Sequence, residues 1–230
     1  MSDLADFSPR PAPGFAPIAG RTVTLEPIRD DRRFDELHEA FSTDAGGGIW
    51  SWLAYGPFRE RAEFQAFAQR TYLGPDIVFH AIVPSHSGRA EGVAALMRTD
   101  RANGITEIGH VCFAPGLQKT VAATEAFFLM MTRVFDELGY RRLEWKCDSG
   151  NIPSRNAAIR LGFRYEGLFR QHMIVKGRNR DTAWYAILDS EWPQLKAGFA
   201  EWLAPHNFSA DGRQYRSLAT ICAETAGSAA

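Results

Sequence analysis

The stretch that decides the fold runs from Phe135 to Gly167 and reads FDELGYRRLEWKCDSGNIPSRNAAIRLGFRYEG. It opens with the end of an apolar-striped helix, which Gly139 terminates. The segment Arg142 to Cys147 then alternates polar and apolar residues, as a strand does. A second helix is expected over about Asn151 to Leu161, with Gly162 just past its end. Helix, strand and helix in this order predict a crossover between parallel strands.

Upstream of this stretch, apolar spacing predicts one strand and two helices. Arg21 to Ile28 (RTVTLEPI) alternates like an edge strand. Phe34, Leu37 and Phe41 recur at helical spacing, and a second helix is expected over about Glu60 to Tyr72. Three further strands and a long helix are expected over Ile77 to Val83, Glu91 to Arg98, Thr106 to Phe113, and Thr120 to Leu138.

Downstream, a hairpin is expected over Gly167 to Leu188 and a closing helix over Trp192 to Leu203. The order β, α, α, β, β, β, α, β, α, β, β predicts a mixed α/β fold of α+β-like character. Residues 1–20 are rich in Pro and Gly and are expected to form a loose N-terminal arm. One domain is expected over residues 21–204, followed by a poorly ordered tail over residues 205–230.

The composition disfavours two classes of partner. The 230 residues carry a net charge of -1, whereas proteins that bind nucleic acid usually present a basic surface. The longest nearly apolar run, Ala122 to Met131, is far shorter than the roughly 20 residues of a membrane span. The chain begins Met1-Ser2-Asp3, with no basic region before an apolar one. We therefore expect a cytoplasmic protein that binds neither nucleic acid nor membrane.

The cysteines give no sign of a disulfide framework or a metal site. Cys112, Cys147 and Cys222 are odd in number, far apart and outside any mixed Cys/His ligand pattern. Cys112 follows His110 by two residues, so the two side chains share one face of a strand. A covalent Cys/His acyl hydrolase therefore stays open as an alternative.

The most specific motif is N-x-x-S-x-x-A-x-x-x-L-G-F followed by E-G, from Asn151 to Gly167. Together with EIGHVCF (Glu107 to Phe113) and PGLQKTVAATEA (Pro115 to Ala126), it resembles the GNAT superfamily of N-acetyltransferases. The resemblance covers about Val23 to Trp192 and looks closer to the RimJ/RimL type, which includes ribosomal-protein N-acetyltransferases. It implies a central mixed, mostly antiparallel sheet with a splayed pair of parallel strands and helices on both faces.

The resemblance also implies acetyl-CoA as co-substrate and no metal. The pantetheine arm would pair with Val111 and Phe113 in the gap between the splayed strands, and Asn151 would hydrogen-bond it. The pyrophosphate would rest on N–H groups at a helix start, where the helix dipole is positive. The residues implied for this role are Gln118, Lys119, Thr120, Val121, Ala122 and Ala123.

The phosphate loop departs from the family pattern, Gln/Arg-x-x-Gly-x-Gly/Ala. The usual glycines fall on Lys119 and Val121. A β-branched Val121 restricts the backbone and narrows the approach to the phosphates, while Lys119 offers a compensating charge. Two interpretations follow: a variant that still binds CoA, or a non-catalytic GNAT-like protein that binds an acyl-CoA or another ligand.

Acetyl transfer to an amine requires a neutral amine, a stabilised oxyanion and a leaving thiolate. Since a free α-amine ordinarily has a pKa near 8 and a free thiol one near 8.5, positioning is expected to supply most of the rate. Many GNAT enzymes place a Tyr at the position of Ala158, whereas RimL-type enzymes resemble this chain in carrying a Ser one turn earlier, at Ser154. Ser154 is therefore the candidate proton donor or thioester-positioning group, unless it only caps the helix beside Pro153.

Glu107 and His110 are the candidate general bases, because both lie on the strand beside the thioester. Their offset of three places them on opposite faces of a regular strand, so both can face the amine only if a bulge intervenes. The alternatives are a solvated edge charge for Glu107 and a hydrogen-bonded core histidine for His110. Glu166 and His172, in the last hairpin, are further candidates.

The aromatic loop Ile49 to Phe58 (IWSWLAYGPF) lies where GNAT proteins build the acceptor pocket. Its rings either belong to the core or line a pocket for a partly apolar acceptor; the candidates, with His172, are Trp50, Trp52, Tyr55 and Phe58. The expected reaction is direct transfer of acetyl from acetyl-CoA to a primary amine in a ternary complex. The acceptor is a small-molecule or aminoacyl amine or a protein N-terminal α-amine, and a homodimer remains open.

Overall fold

The computed structural model describes residues 4–227. Its strands are β1 (Ile18–Ala19), β2 (Val23–Pro27), β3 (Val78–Pro84), β4 (Gly92–Asp100), β5 (Ile105–Phe113), β6 (Arg142–Asp148), β7 (Arg164–Val175) and β8 (Arg178–Leu188). Its α-helices are α1 (Phe34–Ser42), α2 (Arg61–Tyr72), α3 (Val121–Thr132), α4 (Ile152–Arg160), α5 (Trp192–Leu203) and α6 (Leu218–Gly227). Among these helices, none is long and apolar enough to cross a bilayer.

The eight strands form one sheet in the order β1-β2-β3-β4-β5-β6-β8-β7. Neighbouring strands run antiparallel except β5 and β6, which are parallel and joined through α3. This parallel pair is the crossover that the Phe135 to Gly167 stretch predicts. The mixed α/β class and the mostly antiparallel sheet are therefore confirmed.

Helices α1 and α2 cover one face of the first half of the sheet. Phe34, Leu37 and Phe41, the residues predicted from helical spacing, are all buried there. They form one core cluster with Phe64 of α2 and Phe79 of β3. Burying an aromatic or aliphatic side chain of this size contributes about 1.5–3 kcal/mol, so this cluster fixes α1 and the loop after it against the sheet.

Helices α3 and α5 cover the opposite face, and α6 packs on α5. Their contacts with the sheet centre on Met130 of α3, Ile108 of β5 and Leu143 of β6. Helix α3 is continued by a π-helical segment, Arg133–Glu137, and Gly139 follows in the left-handed region at φ 66°. The long helix expected from Thr120 to Leu138 is thus one continuous helix whose last part is π-helical and therefore wider.

Both chain ends differ from the sequence-based expectation within the described residues. In the arm predicted to be loose, Ile18–Ala19 pairs with β2, and the carbonyl of Pro11 accepts a hydrogen bond from Tyr140 Oη at 2.8 Å. In the tail predicted to be poorly ordered, α6 buries Leu218 and Ile221. A two-residue strand and a ten-residue helix held by tertiary contacts leave too short a periodic pattern to be recognised.

Strand β5 contains a bulge opposite Ala94. Val93 pairs with Cys112 and Ala95 with Gly109, so two residues of β5 oppose one residue of β4. His110 lies in the bulge with a positive φ of 51°. The extra residue shifts the alternation of β5, which brings the side chains of Glu107 and His110 to the same face of the sheet.

One histidine is buried in the middle of the sheet. His80 of β3 is 1% exposed, and burial together with the nearby Arg133 charge lowers its pKa to about 4. In the unfolded chain its pKa is near 6.5, so between these values the unfolded state binds a proton that the folded state does not. The folded state therefore keeps its full stability above pH 6.5. As the pH falls from 6.5 toward 4, the free energy of unfolding decreases by about 1.4 kcal/mol per pH unit for this one proton.

We expect His80→Leu to reduce the slope of the unfolding free energy against pH, between pH 4 and 6.5, by the contribution of close to one proton. The measurement is the free energy of urea unfolding at pH 7, 6 and 5. His86, which is 73% exposed, provides the control variant His86→Gln, whose slope should match that of the wild type. An unchanged slope in His80→Leu would contradict the assignment.

Candidate active site in the gap between β5 and β6

The two parallel strands part halfway along their length. They pair from Ile105 and Arg142 up to Ile108 and Trp145, and no further. Both strands nevertheless continue, β5 to Phe113 and β6 to Asp148. On the side facing β6, the main chain at the end of β5 therefore has no partner strand and is available to a ligand that adds as a strand.

A cleft of about 1030 Å³ occupies this gap, a volume at the upper end of the range for small-molecule sites. Its walls come from the end of β5, the first turn of α3, helix α4, the loop after α1, and the end of α5 with the turn that follows it. Of the residues implied to bind the cofactor, all but Ala122 line it: Val111, Phe113, Gln118, Lys119, Thr120, Val121, Ala123, Asn151 and Ser154. Ala122 points into the core.

The start of α3 presents free backbone donors to this cleft. Thr120 is the N-cap, and its hydroxyl accepts a hydrogen bond from the N–H of Ala123 at 3.0 Å. Within the described chain, no acceptor lies on the N–H groups of Val121 and Ala122. Gln118 Nε2 donates to the carbonyl of Phe113 at 2.9 Å and ties the loop to the end of β5. The helix start therefore offers donors and a positive dipole end to an anion.

The residues that depart from the family glycines still produce this geometry. Lys119 adopts φ 61°, the left-handed conformation that glycine takes most easily. Holding a non-glycine residue there costs about 1–3 kcal/mol, so the surrounding loop must enforce it. Val121 is only partly buried and lies in the cleft wall, and the cleft remains open beside it.

Helix α4 positions Asn151 and Ser154 on the opposite wall. Asn151 is the N-cap, and its Oδ1 accepts a hydrogen bond from the N–H of Ser154 at 3.1 Å. Trp145 Nε1 donates to Ser154 Oγ at 3.0 Å, which orients the hydroxyl. Ala158 is fully buried and outside the cleft wall. Ser154 is therefore the hydroxyl of α4 that faces the cleft.

His110 lies in an aromatic environment behind the cleft. Its Nδ1 is 2.9 Å from Tyr55 Oη, the two rings stack at 5.7 Å, and Phe79 packs against it at 5.0 Å. Burial lowers the pKa of His110 to about 4 and raises the pKa of Tyr55, so both are neutral at neutral pH. Neither residue lies in the cleft wall.

The acidic candidates are held in ion pairs. Glu107 is 3% exposed and contacts Arg98 at 2.7 Å and Lys146 at 2.9 Å. Glu166 accepts hydrogen bonds from Arg142, which lowers the pKa of its carboxyl. Neither residue lies in the cleft wall. Two cations of the chain occupy the Glu107 carboxylate, and this arrangement favours a structural role for Glu107.

Some rings of the aromatic loop lie in the core and one lies in the cleft wall. Trp52 lines the cleft, whereas Trp50 is 3% exposed and packs edge-on against Phe41 and Phe58 in the core. His172, on the β7–β8 hairpin, is hydrogen-bonded to Thr182 and does not line the cleft. Of the five residues predicted to bind the acceptor, the structure thus brings only Trp52 to the cleft.

Asp44 and Cys112 also line the cleft, and of these two the sequence-based predictions named only Cys112, for the covalent alternative. Asp44, in the loop after α1, lines the cleft and accepts a hydrogen bond from the N–H of Ile49 at 2.7 Å. Cys112 lines the same end, where burial raises the pKa of its thiol and the Asp44 charge adds to the effect. The only sequence signal for Asp44 is an acidic residue two positions before the Gly46-Gly47-Gly48 turn. A thiol kept protonated does not favour the covalent Cys/His route.

Within residues 4–227, no group of three or more His, Cys, Asp or Glu side chains is arranged to hold a metal ion. The polar groups in the cleft wall include main-chain donors at the start of α3, the Ser154 hydroxyl, and the charged side chains of Asp44, Lys119 and Arg160. This is what positioning of an acyl thioester requires.

The comparisons with known proteins agree with this geometry. A GCN5-related N-acetyltransferase from Brucella melitensis is 47% identical, with a TM-score of 0.93 over 95% of this chain and 99% of its own. The uncharacterized N-acetyltransferase YnaD of Bacillus subtilis is 38% identical over 87 residues, 37% of this chain and 50% of YnaD. The chain spans between 50% and 62% of the length of the curated relatives it matches.

A third protein, the microcin C7 self-immunity acetyltransferase MccE, was solved in complex with acetyl-CoA and AMP. It is 21% identical, with a TM-score of 0.64 over 74% of this chain and 93% of its own, and so shows the shared fold. Residues 22–164 match the acetyltransferase (GNAT) domain family. That range holds the parted strands, the α3 start and the Asn151–Ser154 turn, and on this evidence the chain belongs to the GNAT acetyltransferase family.

Proposed function

We propose that this protein transfers an acetyl group from acetyl-CoA to a primary amine by direct attack in a ternary complex. The observation that carries the proposal is the parting of β5 and β6 beside the free N–H groups at the start of α3. The N–H groups of Val121 and Ala122 suit a diphosphate, and the unpaired end of β5 suits the amides of a pantetheine arm. Both features lie along one cleft.

The reaction assigns a role to Ser154. The neutral amine attacks the thioester carbonyl, a C–N bond forms, and the C–S bond breaks as the tetrahedral intermediate collapses. The Ser154 hydroxyl, oriented by Trp145 Nε1, donates a proton to the departing sulfur and is reprotonated by solvent. The proton lost by the amine leaves to solvent, because the His110 and Glu107 side chains do not reach the cleft.

The acceptor is expected to enter at the end that holds Asp44. Asp44 is the one carboxylate in the cleft wall, and no cation of the described chain lies within ion-pair distance of it. Lys176 Nζ, at the tip of the β7–β8 hairpin, donates to the carbonyl of Trp50 at 3.0 Å, so the hairpin packs on the loop that follows Asp44. A carboxylate with only a backbone donor favours an amine that binds as a cation, either a small molecule or a protein N-terminus, and this amine loses one proton to solvent before it attacks.

The alternative, a non-catalytic binder of acyl-CoA, rests on the missing glycines at Lys119 and Val121. Lys119 reaches the left-handed conformation without glycine, and Val121 leaves the cleft open. No observation among the described residues favours a loss of catalysis. The same assay separates the two functions, since a binder takes up acetyl-CoA without releasing CoA thiol.

The test is thiol release from acetyl-CoA against a panel of small amines, aminoacyl compounds and N-terminal peptides. We expect release with at least one acceptor, and Asp44→Asn to raise the KM for a cationic acceptor about tenfold with little change for acetyl-CoA. The amide keeps an acceptor for the N–H of Ile49, so the loop is preserved. The matched control is Asp76→Asn, at an exposed turn. Absence of thiol release with every acceptor would contradict the enzymatic assignment.

A further inference from the structure

The outer end of the cleft is built by a segment beyond the family-matched range of residues 22–164. The C-terminal residues in the cleft wall are Trp202, Phe208, Gly212, Arg213 and Gln214. They lie at the end of α5 and in the turn that follows it. Residues 205–230 were expected to form a poorly ordered tail, so the place of Phe208, Arg213 and Gln214 in the cleft wall raises the question of which part of a ligand they contact.

Hydrogen bonds hold this turn in one shape. Phe208 and Gln214 form an antiparallel bridge, with Gly212 at φ 79° between them. Trp202 Nε1 donates to Gln214 Oε1 at 2.9 Å, and Asn207 Nδ2 donates to the carbonyl of Trp202 at 3.0 Å. The wall is therefore a preformed surface, which lowers the entropy cost of binding a ligand against it.

Arg160, at the end of α4, faces this wall without an acidic partner. Its guanidinium lies 5.4 Å from the centroid of the Trp202 ring, and both terminal nitrogens are 3.2 Å from Thr124 Oγ1. In the part of the chain that the structure describes, no carboxylate lies within 4.0 Å of it. Surrounding protein desolvates the guanidinium and lowers its pKa. A desolvated cation with a planar pair of donors is suited to a phosphate.

The charges along the cleft are separated by sign. Lys119, Arg160 and Arg213 lie at the outer part of the wall, whereas Asp44 lies at the acceptor end. Arg213 contacts Asp211 at 3.2 Å, but both side chains are more than 60% exposed, so this pair is weak and can yield to a ligand anion. The outer end is thus a cationic site and the inner end an anionic one.

We propose that Arg160, Trp202 and the turn at Arg213–Gln214 form a subsite for the 3′-phosphorylated adenosine of CoA. The proposal rests on the proposed use of acetyl-CoA. Thr124, which Arg160 contacts, lies one helical turn, about 5.4 Å, beyond the N-cap Thr120. A ligand whose 5′-diphosphate rests on the start of α3 carries its 3′-phosphate on the same ribose, and Arg160 is the cleft cation that lies one helical turn further along α3.

This subsite makes the protein discriminate CoA from 3′-dephospho-CoA. Titration calorimetry on the full-length wild type should give a Kd for CoA about tenfold lower than for 3′-dephospho-CoA, since one charge-assisted contact is lost. Equal affinities would overturn the subsite while leaving the proposed acetyl transfer intact. If neither ligand binds, the use of CoA fails as well, so the two failures are distinguishable.

Arg160→Gln should bind both ligands with the affinity that the wild type has for 3′-dephospho-CoA, which removes the discrimination. Arg213→Gln should reduce the discrimination in part, and it provides a second variant if Arg160→Gln proves unstable. Arg70→Gln, at an exposed residue in the last turn of α2, is the matched control and should retain it in full. Discrimination that persists in Arg160→Gln would assign the 3′-phosphate to other residues.

Discussion

Val121→Asp is expected to weaken CoA binding about 100-fold while the protein stays folded. Val121 is the first residue of α3 and lies in the cleft wall beside the free N–H groups. A negative charge introduced about 6 Å from one ligand phosphate costs about 2.8 kcal/mol at an effective dielectric constant of about 20, which corresponds to roughly 100-fold in Kd. The measurement is calorimetric titration with CoA.

The matched control is Val121→Asn, which has the same shape as the aspartate and no charge. Both variants lose the packing of Val121 against the α3 core, so the difference between them isolates the charge. An acidic residue in the first turn interacts favourably with the helix dipole, by about 0.3–1 kcal/mol. The Asp variant should therefore melt at or above the temperature of the Asn variant. Equal CoA affinity in the two would mean that the phosphates do not rest on the start of α3.

A third substitution at the same position tests why glycine is dispensable here. Val121→Gly restores one of the family glycines, but the turn itself is made by Lys119, which already holds a left-handed conformation. Glycine also loses more backbone entropy when the helix forms, which lowers the stability of the folded state by about 1 kcal/mol. This loop thus adopts a left-handed turn with Lys119 where the family pattern expects glycine. This is why the sequence alone left both a variant site and a lost site open.

The part of the site that is best predicted from the sequence is the turn at the start of α4, because its geometry depends only on neighbouring residues. Asn151 and Ser154 are three residues apart, and a cap followed by a helix fixes their relation without any distant contact. The crossover through α3 into β6 is likewise set by short periodic segments. The fold could therefore be predicted from the Phe135 to Gly167 stretch, because each element there is specified by its own residues.

What the sequence could not place depends on contacts between distant segments. The bulge at His110 arises from the pairing of β5 with β4, and no residue pattern within β5 marks it. Trp50 and Trp52 are two residues apart and of one type, yet one is in the core and the other in the cleft wall. Composition cannot separate these cases, because an aromatic side chain is suited to both.

Ser154→Ala is expected to lower the rate of thiol release about 10- to 100-fold while changing the Kd for acetyl-CoA less than about threefold. The hydroxyl acts only when the C–S bond breaks, so its loss raises the transition-state energy without removing ground-state contacts. The effect lies at the low end for a general acid, because a thiolate with a pKa near 8.5 leaves readily. Single-turnover thiol release at saturating amine isolates this step from product release.

The same substitution also leaves Trp145 Nε1 without an acceptor, which costs about 1–3 kcal/mol of folding stability. Trp145→Phe separates the two effects, since it removes the donor and keeps the hydroxyl. If Trp145 only orients Ser154, Trp145→Phe should slow thiol release less than Ser154→Ala does, and the double variant should be no slower than Ser154→Ala. Equal losses of rate and of acetyl-CoA affinity in Ser154→Ala would instead make Ser154 a binding or capping residue, and the proton would then come to the sulfur from solvent.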